Sequence, residues 1–330
     1  DVGPSVLEPR WSHSTFQDVE NEGLATLLEP LTERLAELSE GLLHSGNAVT
    51  PVAVPLLVGD LLIYRGFANI RAVHRVTGEF EWETFKIDKQ LKKALSLQQR
   101  MEPDDASRVH RLVSPSLFQH WFRANVGGQL TTDGTMVFAV EDASAETMQV
   151  DLDDHPIPPA SPFNWLRAYD LTRDGSLGGL AGGAIGAGNG SGKVAPLAGM
   201  YFLGAPLVMG DRIYVMSEND QGIFLLQLKA TDERGPGGEF DMRPVRSQLL
   251  STPRHPLRDH PVRKYAGLIP SYSRGLLICS TCDERVIAVS AEDHSVRWIY
   301  RYPSNVAEHE LGPGRPVVGN AFDSRQSSAY

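Results

Sequence analysis

The sequence predicts an all-β fold built from repeated four-stranded units. Four two-residue turns, Gly59-Asp60, Asp133-Gly134, Gly210-Asp211 and Arg274-Gly275, each lead into an apolar strand. Glycine and proline are plentiful, at 31 and 22 of 330 residues, which suits a chain of many short strands and turns. Two of the units also overlay to their ends. Arg71-Ala72-Val73 is followed by Thr77-Gly78 and Trp82, and Ile287-Ala288-Val289 by Asp293-His294 and Trp298, with the same alanine-to-tryptophan spacing.

In chain order, residues 1–50 are expected to form an extension with an amphipathic helix. Leu24, Leu27, Leu28, Leu31, Leu35, Leu38 and Leu42 recur at three and four and so share one helical face, with Pro30 introducing a kink or dividing the helix. Residues 51–330 are expected to hold the repeated sheets. The strands after the four turns are predicted at Leu61 to Tyr64, Met136 to Val140, Arg212 to Met216 and Leu276 to Cys279. The two middle units are degenerate. Ala168 in Leu166 to Thr172 takes the small-residue place with no tryptophan after it, and Phe224 to Leu228 matches only the strand. The turns lie about 64 to 77 residues apart, against roughly 40 to 45 for a minimal four-stranded unit, so insertions are expected. Lys86 to Asn125, with a helix at Lys89 to Gln99, Ala143 to Asn164, Gly175 to Ala198 and Thr231 to Lys264 are the candidates.

Composition narrows the function classes. A net charge of −10 argues against a nucleic-acid surface, since phosphate is bound mainly through clustered Lys and Arg. No apolar run approaches the roughly 18 to 20 residues that span a bilayer, so direct membrane insertion is not expected.

Several motifs invite chemical readings. Cys279-Ser280-Thr281-Cys282 has redox spacing, but a reactive pair needs a helix start to lower its thiol pKa, and this pair follows a strand. Plain structural cysteines are the preferred reading, with a labile disulfide, or zinc shared with His255 and His260, as alternatives. Gly178 to Lys193 ends Gly190-Ser191-Gly192-Lys193 but has Ala187 and Val194 where a phosphate loop needs glycine and a hydroxyl, so a flexible linker is expected. Asp151, Asp153 and Asp154 lack the glycine and distal glutamate of a calcium loop. His110, His120 and Trp121 are read as ordinary loop packing. No catalytic residue, cofactor-binding residue or metal ligand is assigned.

The run Ala72, Thr77, Gly78, Trp82, echoed at Ala288 and Trp298, resembles the tryptophan-docking repeat of PQQ-like β-propellers over Val52 to Tyr300. The likeness departs at Val76, at Asp293-His294 and in the middle units. It implies a partial propeller of about four blades, in which Ala72, Gly78, Trp82, Ala168, Ala288 and Trp298 are structural blade positions. Four blades fall short of the eight-bladed ring the family forms, so the sequence is read as a fragment, or as one whose further blades come from elsewhere. The resemblance further implies a non-catalytic scaffold with protein partners, exported or periplasmic, in a bacterium with an outer membrane. Its alternative is an oxidoreductase using pyrroloquinoline quinone, which would need an acidic base and commonly adjacent cysteines; Cys279 and Cys282 are not adjacent.

Overall fold

The computed structural model describes residues 10–12, 54–66, 69–84, 125–142, 163–182, 197–234, 238–257, 260, 263–264 and 266–302. The expected helices over 19–43 and 89–99, Asp151, Asp153 and Asp154, His110, His120 and Trp121, and Gly190 to Lys193 all lie outside those residues.

Four antiparallel units follow one another. Unit I holds β1 (Leu56–Val58), β2 (Leu61–Arg65), β3 (Ile70–His74) and β4 (Phe80–Glu83), in that spatial order. A one-turn helix, α1 (Asn125–Gly128), leads into unit II, made of β5 (Leu130–Thr132), β6 (Met136–Asp142), β7 (Asn164–Asp170) and β8 (Ser176–Gly182). Unit III has β10 (Leu207–Met209), β11 (Arg212–Asn219), β12 (Gly222–Arg234) and β13 (Phe240–Ser251), with β9 (Tyr201–Phe202) added beside β11. Unit IV repeats the order with β14 (Ser271–Ser273), β15 (Leu276–Ser280), β16 (Arg285–Ser290) and β17 (Val296–Arg301).

Local chemistry fixes the hairpins. All four predicted turns join a first strand to a second. At Asp133 the carboxylate accepts from the backbone N–H groups of Thr135 and Met136 at 2.8 and 2.7 Å, a side-chain-closed turn. Arg274 and Gly275 both take positive φ, 48° and 82°, as a two-residue hairpin loop demands.

The sheets stack face to face, and the stacking explains the strand sequences. In β6, Val137 and Ala139 pack toward unit I with Ile63, Ile70, Ala72 and Trp82, while Phe138 and Val140 pack toward unit III with Val215, Leu226 and Met242. Buried on both faces, Met136 to Val140 is apolar throughout rather than alternating. β11 behaves alike, with Ile213 and Val215 toward unit II, and Tyr214 and Met216 toward Leu277, Cys279 and Ile287 of unit IV. Unit IV has one described neighbour, and β15 alternates, with Leu277 and Cys279 fully buried between half-buried residues.

Two expected insertions are corrected. Much of Thr231 to Lys264 is strand: β12 and β13 form one long hairpin, and β13 also pairs in parallel with β8 through Phe240 opposite Gly179 and Asp241 opposite Leu180. That contact joins units II and III into one nine-stranded sheet. The start of the expected linker, Gly178 to Gly182, is the outer strand of unit II. Its glycines are needed because a methyl group at Gly179 would fall inside the Phe240 ring, and one at Gly182 would meet Phe202.

Candidate functional site

Three of the second strands place a carboxylate at or just beyond their C-terminal ends: Glu141 is next to last in β6, Glu218 next to last in β11, and Asp283 follows β15. Each meets arginine.

Glu141 bridges units I and II. Its carboxylate accepts from Arg65 at 3.0 Å, Arg167 at 3.3 Å and the Tyr169 hydroxyl at 3.0 Å. Burial by itself would raise the Glu141 carboxyl, but Arg65, Arg167 and the Tyr169 hydrogen bond outweigh it and hold the group at about 2. Burial, reinforced by Glu141, raises the Tyr169 phenol. A depressed carboxyl binds fewer protons folded than unfolded between about pH 4.5 and 2. Its stabilisation is complete above that window and lost as the pH falls through it. The wild type should lose about 3 kcal/mol across this range, and Glu141→Gln should flatten that part of a urea-unfolding series against pH.

Glu218 is more deeply buried. Arg263 donates to it through Nε at 2.7 Å and Nη2 at 2.9 Å, and Nη2 also reaches the His255 carbonyl at 2.6 Å. The side chains are 1% and 3% exposed. Burial pushes the Glu218 carboxyl up, Arg263 opposes this, and Asp283 adds to the rise. Asp283 accepts from the hydroxyls of Ser251 and Thr281, and Arg285 donates to Ser251 Oγ at 3.2 Å. Ser251, Asp283 and Arg285 therefore tie units III and IV together, while Arg263, in the connection between the two units, anchors that connection on Glu218.

The two cysteines border this cluster as free thiols. Burial pushes Cys279 up to about 12 and raises Cys282, with Arg263 opposing and Asp283 reinforcing the latter. Nucleophilic thiols need the opposite shift. His260 Nδ1 accepts from the Arg263 backbone N–H at 3.1 Å. Among the described residues, no three His, Cys, Asp or Glu side chains are grouped as a metal would require.

The overlaid positions are placed as follows. Ala72 lies opposite Trp82, Ala168 opposite Gly179 and Ala288 opposite Trp298, each with a register shift immediately after the alanine. Ala72, Ala168 and Ala288 are fully buried. Trp82 reaches across the seam to the turn of the next unit, where a methyl group at Gly175 (φ 69°) would fall inside its indole. Gly78 (φ 75°) has the equivalent turn position in unit I and is covered by Trp11. The sequence marks Gly78 as a turn of the repeat and places Gly175 at the start of an insertion; the structure adds that both clear room for a tryptophan from another segment. Trp298, by contrast, is 43% exposed.

The degenerate seams are filled differently. Gly179 stands where unit I has Trp82, and Phe240 packs onto it from unit III. The corresponding place in unit III, opposite Gln227, is Arg246, whose Nη1 donates to the Glu292 carbonyl in the unit IV turn at 2.5 Å. In that turn His294 (φ 62°) takes the glycine position and is buried against Tyr214 with ring centroids 5.9 Å apart. Trp11, Gly175, Phe240, Arg246 and Arg263 were all missed in the sequence, since only spatial neighbours reveal them.

These units are blades of a partial β-propeller. No family model and no curated protein sequence matches the chain. Among solved structures, BamB from Moraxella catarrhalis is similar at 10% identity and a TM-score of 0.36, over 76% of this chain and 48% of BamB. A europium-containing methanol dehydrogenase is similar at 12% identity and a TM-score of 0.39, over 75% of this chain and 41% of the dehydrogenase. The chain thus spans under half the length of either. The blade assignment rests on strand order, register and seam packing.

Proposed function

We propose that this partial propeller is a non-catalytic scaffold for protein–protein contact in the bacterial cell envelope. The observation that carries the reading is exposed apolar side chains at the free inner edges of rigid blades: Leu57 on β1 and Tyr272 on β14 are 59% and 47% exposed. Exposed apolar side chains on a rigid edge favour association. The buried carboxylates support it too, since Glu141 and Glu218 are held by arginine, which ill suits a general base. The envelope location rests on the resemblance of the repeat alone. Among the described residues, no helix is long and apolar enough to cross a membrane.

Immobilised full-length chain should retain a defined set of proteins from a bacterial envelope extract. Leu57→Asp with Tyr272→Asp should release them while the far-UV circular dichroism stays unchanged. Dye reduction by the chain loaded with pyrroloquinoline quinone and calcium, with no protein retained, would overturn the scaffold in favour of an oxidoreductase.

A further inference from the structure

His294 holds an unusual place for a titratable side chain. It stands at the left-handed turn position (φ 62°) where blades I and II have Gly78 and Gly175, so it projects a side chain onto blade III where those glycines admit a ring from elsewhere. It is 5% exposed, with its ring against Tyr214. Neither ring nitrogen has a hydrogen-bond partner among the described residues. An imidazolium carries two N–H donors, and a buried charge whose donors meet no acceptor is disfavoured.

The neighbouring charges act in the same direction. β11 brings Arg212 and Tyr214 to the ring, and β13 brings Arg246, whose Nη1 is fixed on the Glu292 carbonyl of the same turn. Within the turn Asp293 favours the cation, yet its carboxylate is shared among the Ser295 N–H, the Ser295 hydroxyl and Arg297. Burial first, then Arg246 and Arg212, outweigh Asp293 and hold His294 below the ordinary histidine range. We infer that the III–IV joint is acid-sensitive: protonation of His294 drives the blade IV turn off Tyr214 and loosens blade IV from blade III. With the joint closed, His294 binds fewer protons than when it is exposed, so its hold is complete above about pH 6.5 and is lost progressively below it. Glu141 acts in a separate window, below pH 4.5. His260 shares the window of His294. Its Nδ1 accepts from the Arg263 N–H, and burial, Arg263 and His255 lower its pKa against Asp283, but it acts on the connection between the blades rather than on the turn. The acid sensitivity is independent of whether other proteins bind the inner edges.

Cys279 reports the joint. Fully buried, it packs with Tyr214 and Met216 of blade III, so a reagent reaches its thiol only when the blades part. The full chain carrying Cys282→Ser has this thiol alone, and its labelling by a dipyridyl disulfide, which reacts with thiols in acid as well as at neutral pH, is timed against free cysteine. Relative to that control, the rate should rise about tenfold or more between about pH 7.5 and 5.5, the linkage expected when a group that titrates near 6.5 must stay neutral in the closed joint. His294→Asn, whose side chain tolerates a left-handed backbone, should lose about tenfold of that rise, and His260→Asn should retain at least that much. No rise in the parent, a rise that survives His294→Asn in full, or one that His260→Asn abolishes would overturn the inference. If His294→Asn lacks the circular dichroism of the parent, His294→Gly, which restores the residue of the other turns, is read in its place with the same outcomes.

Discussion

Arg263→Ala is expected to destabilise the chain by about 3–5 kcal/mol, read as a lowered urea midpoint. The loss comes from Glu218 rather than from arginine packing alone. With Arg263 gone, a carboxylate 3% exposed keeps its desolvation cost and loses both charge-assisted hydrogen bonds, while the His255 carbonyl loses its donor. Glu218 would then be driven to protonate, so the defect should be largest at neutral pH and shrink on acidification. Glu218→Met with Arg263→Leu removes both charges together and is expected to cost far less than the single change, because a buried pair replaced by apolar groups of similar volume is often nearly neutral. Equal losses in the single and double variants would show that the pair itself, and not the orphaned charge, stabilises the fold at this point.

Trp82→Ala should cost about 3–5 kcal/mol, since it removes a 5% exposed indole and leaves a void between two sheets. Gly175→Ala should approach the same loss from the other side of the seam. Its methyl would enter the indole, and its backbone sits at φ 69°, where L residues are strained. Because both changes strike one contact, the double variant is expected to cost clearly less than the sum of the singles. Additive losses would mean that ring and glycine stabilise the fold separately.

The local parts of this fold were legible in the sequence. The turns at Gly59-Asp60, Asp133-Gly134, Gly210-Asp211 and Arg274-Gly275 announce themselves through residues whose conformational preferences act over two positions, and the strands after them are apolar. The seams were legible only where a tryptophan marked them. Gly179 carries no sign that Phe240, some sixty positions on, will fill its place, and Arg246 gives no hint of replacing an indole with a hydrogen bond to the Glu292 carbonyl. Gly178 to Gly182 looked like a linker because glycine density suggests freedom; here the missing side chains admit Phe240 and Phe202. Thr231 to Lys264 was misread for the converse reason. Its strands are polar because much of β13 from Arg243 to Arg246 faces water, so no apolar alternation is present to mark them. Of the polar clusters, the carboxylates were visible as residues but not as partners, because Glu218 and Arg263 lie 45 positions apart.

The parallel pairing of β13 with β8 gives the array an uneven mechanical character. Blades II and III are joined strand to strand at two positions of β13 and β8, whereas the strands of I meet those of II, and those of III meet blade IV, through side chains. Bending or pulling therefore concentrates at the two outer joints, which can yield by sliding rings and ion pairs past one another, while the central pair moves as a single stiff plate.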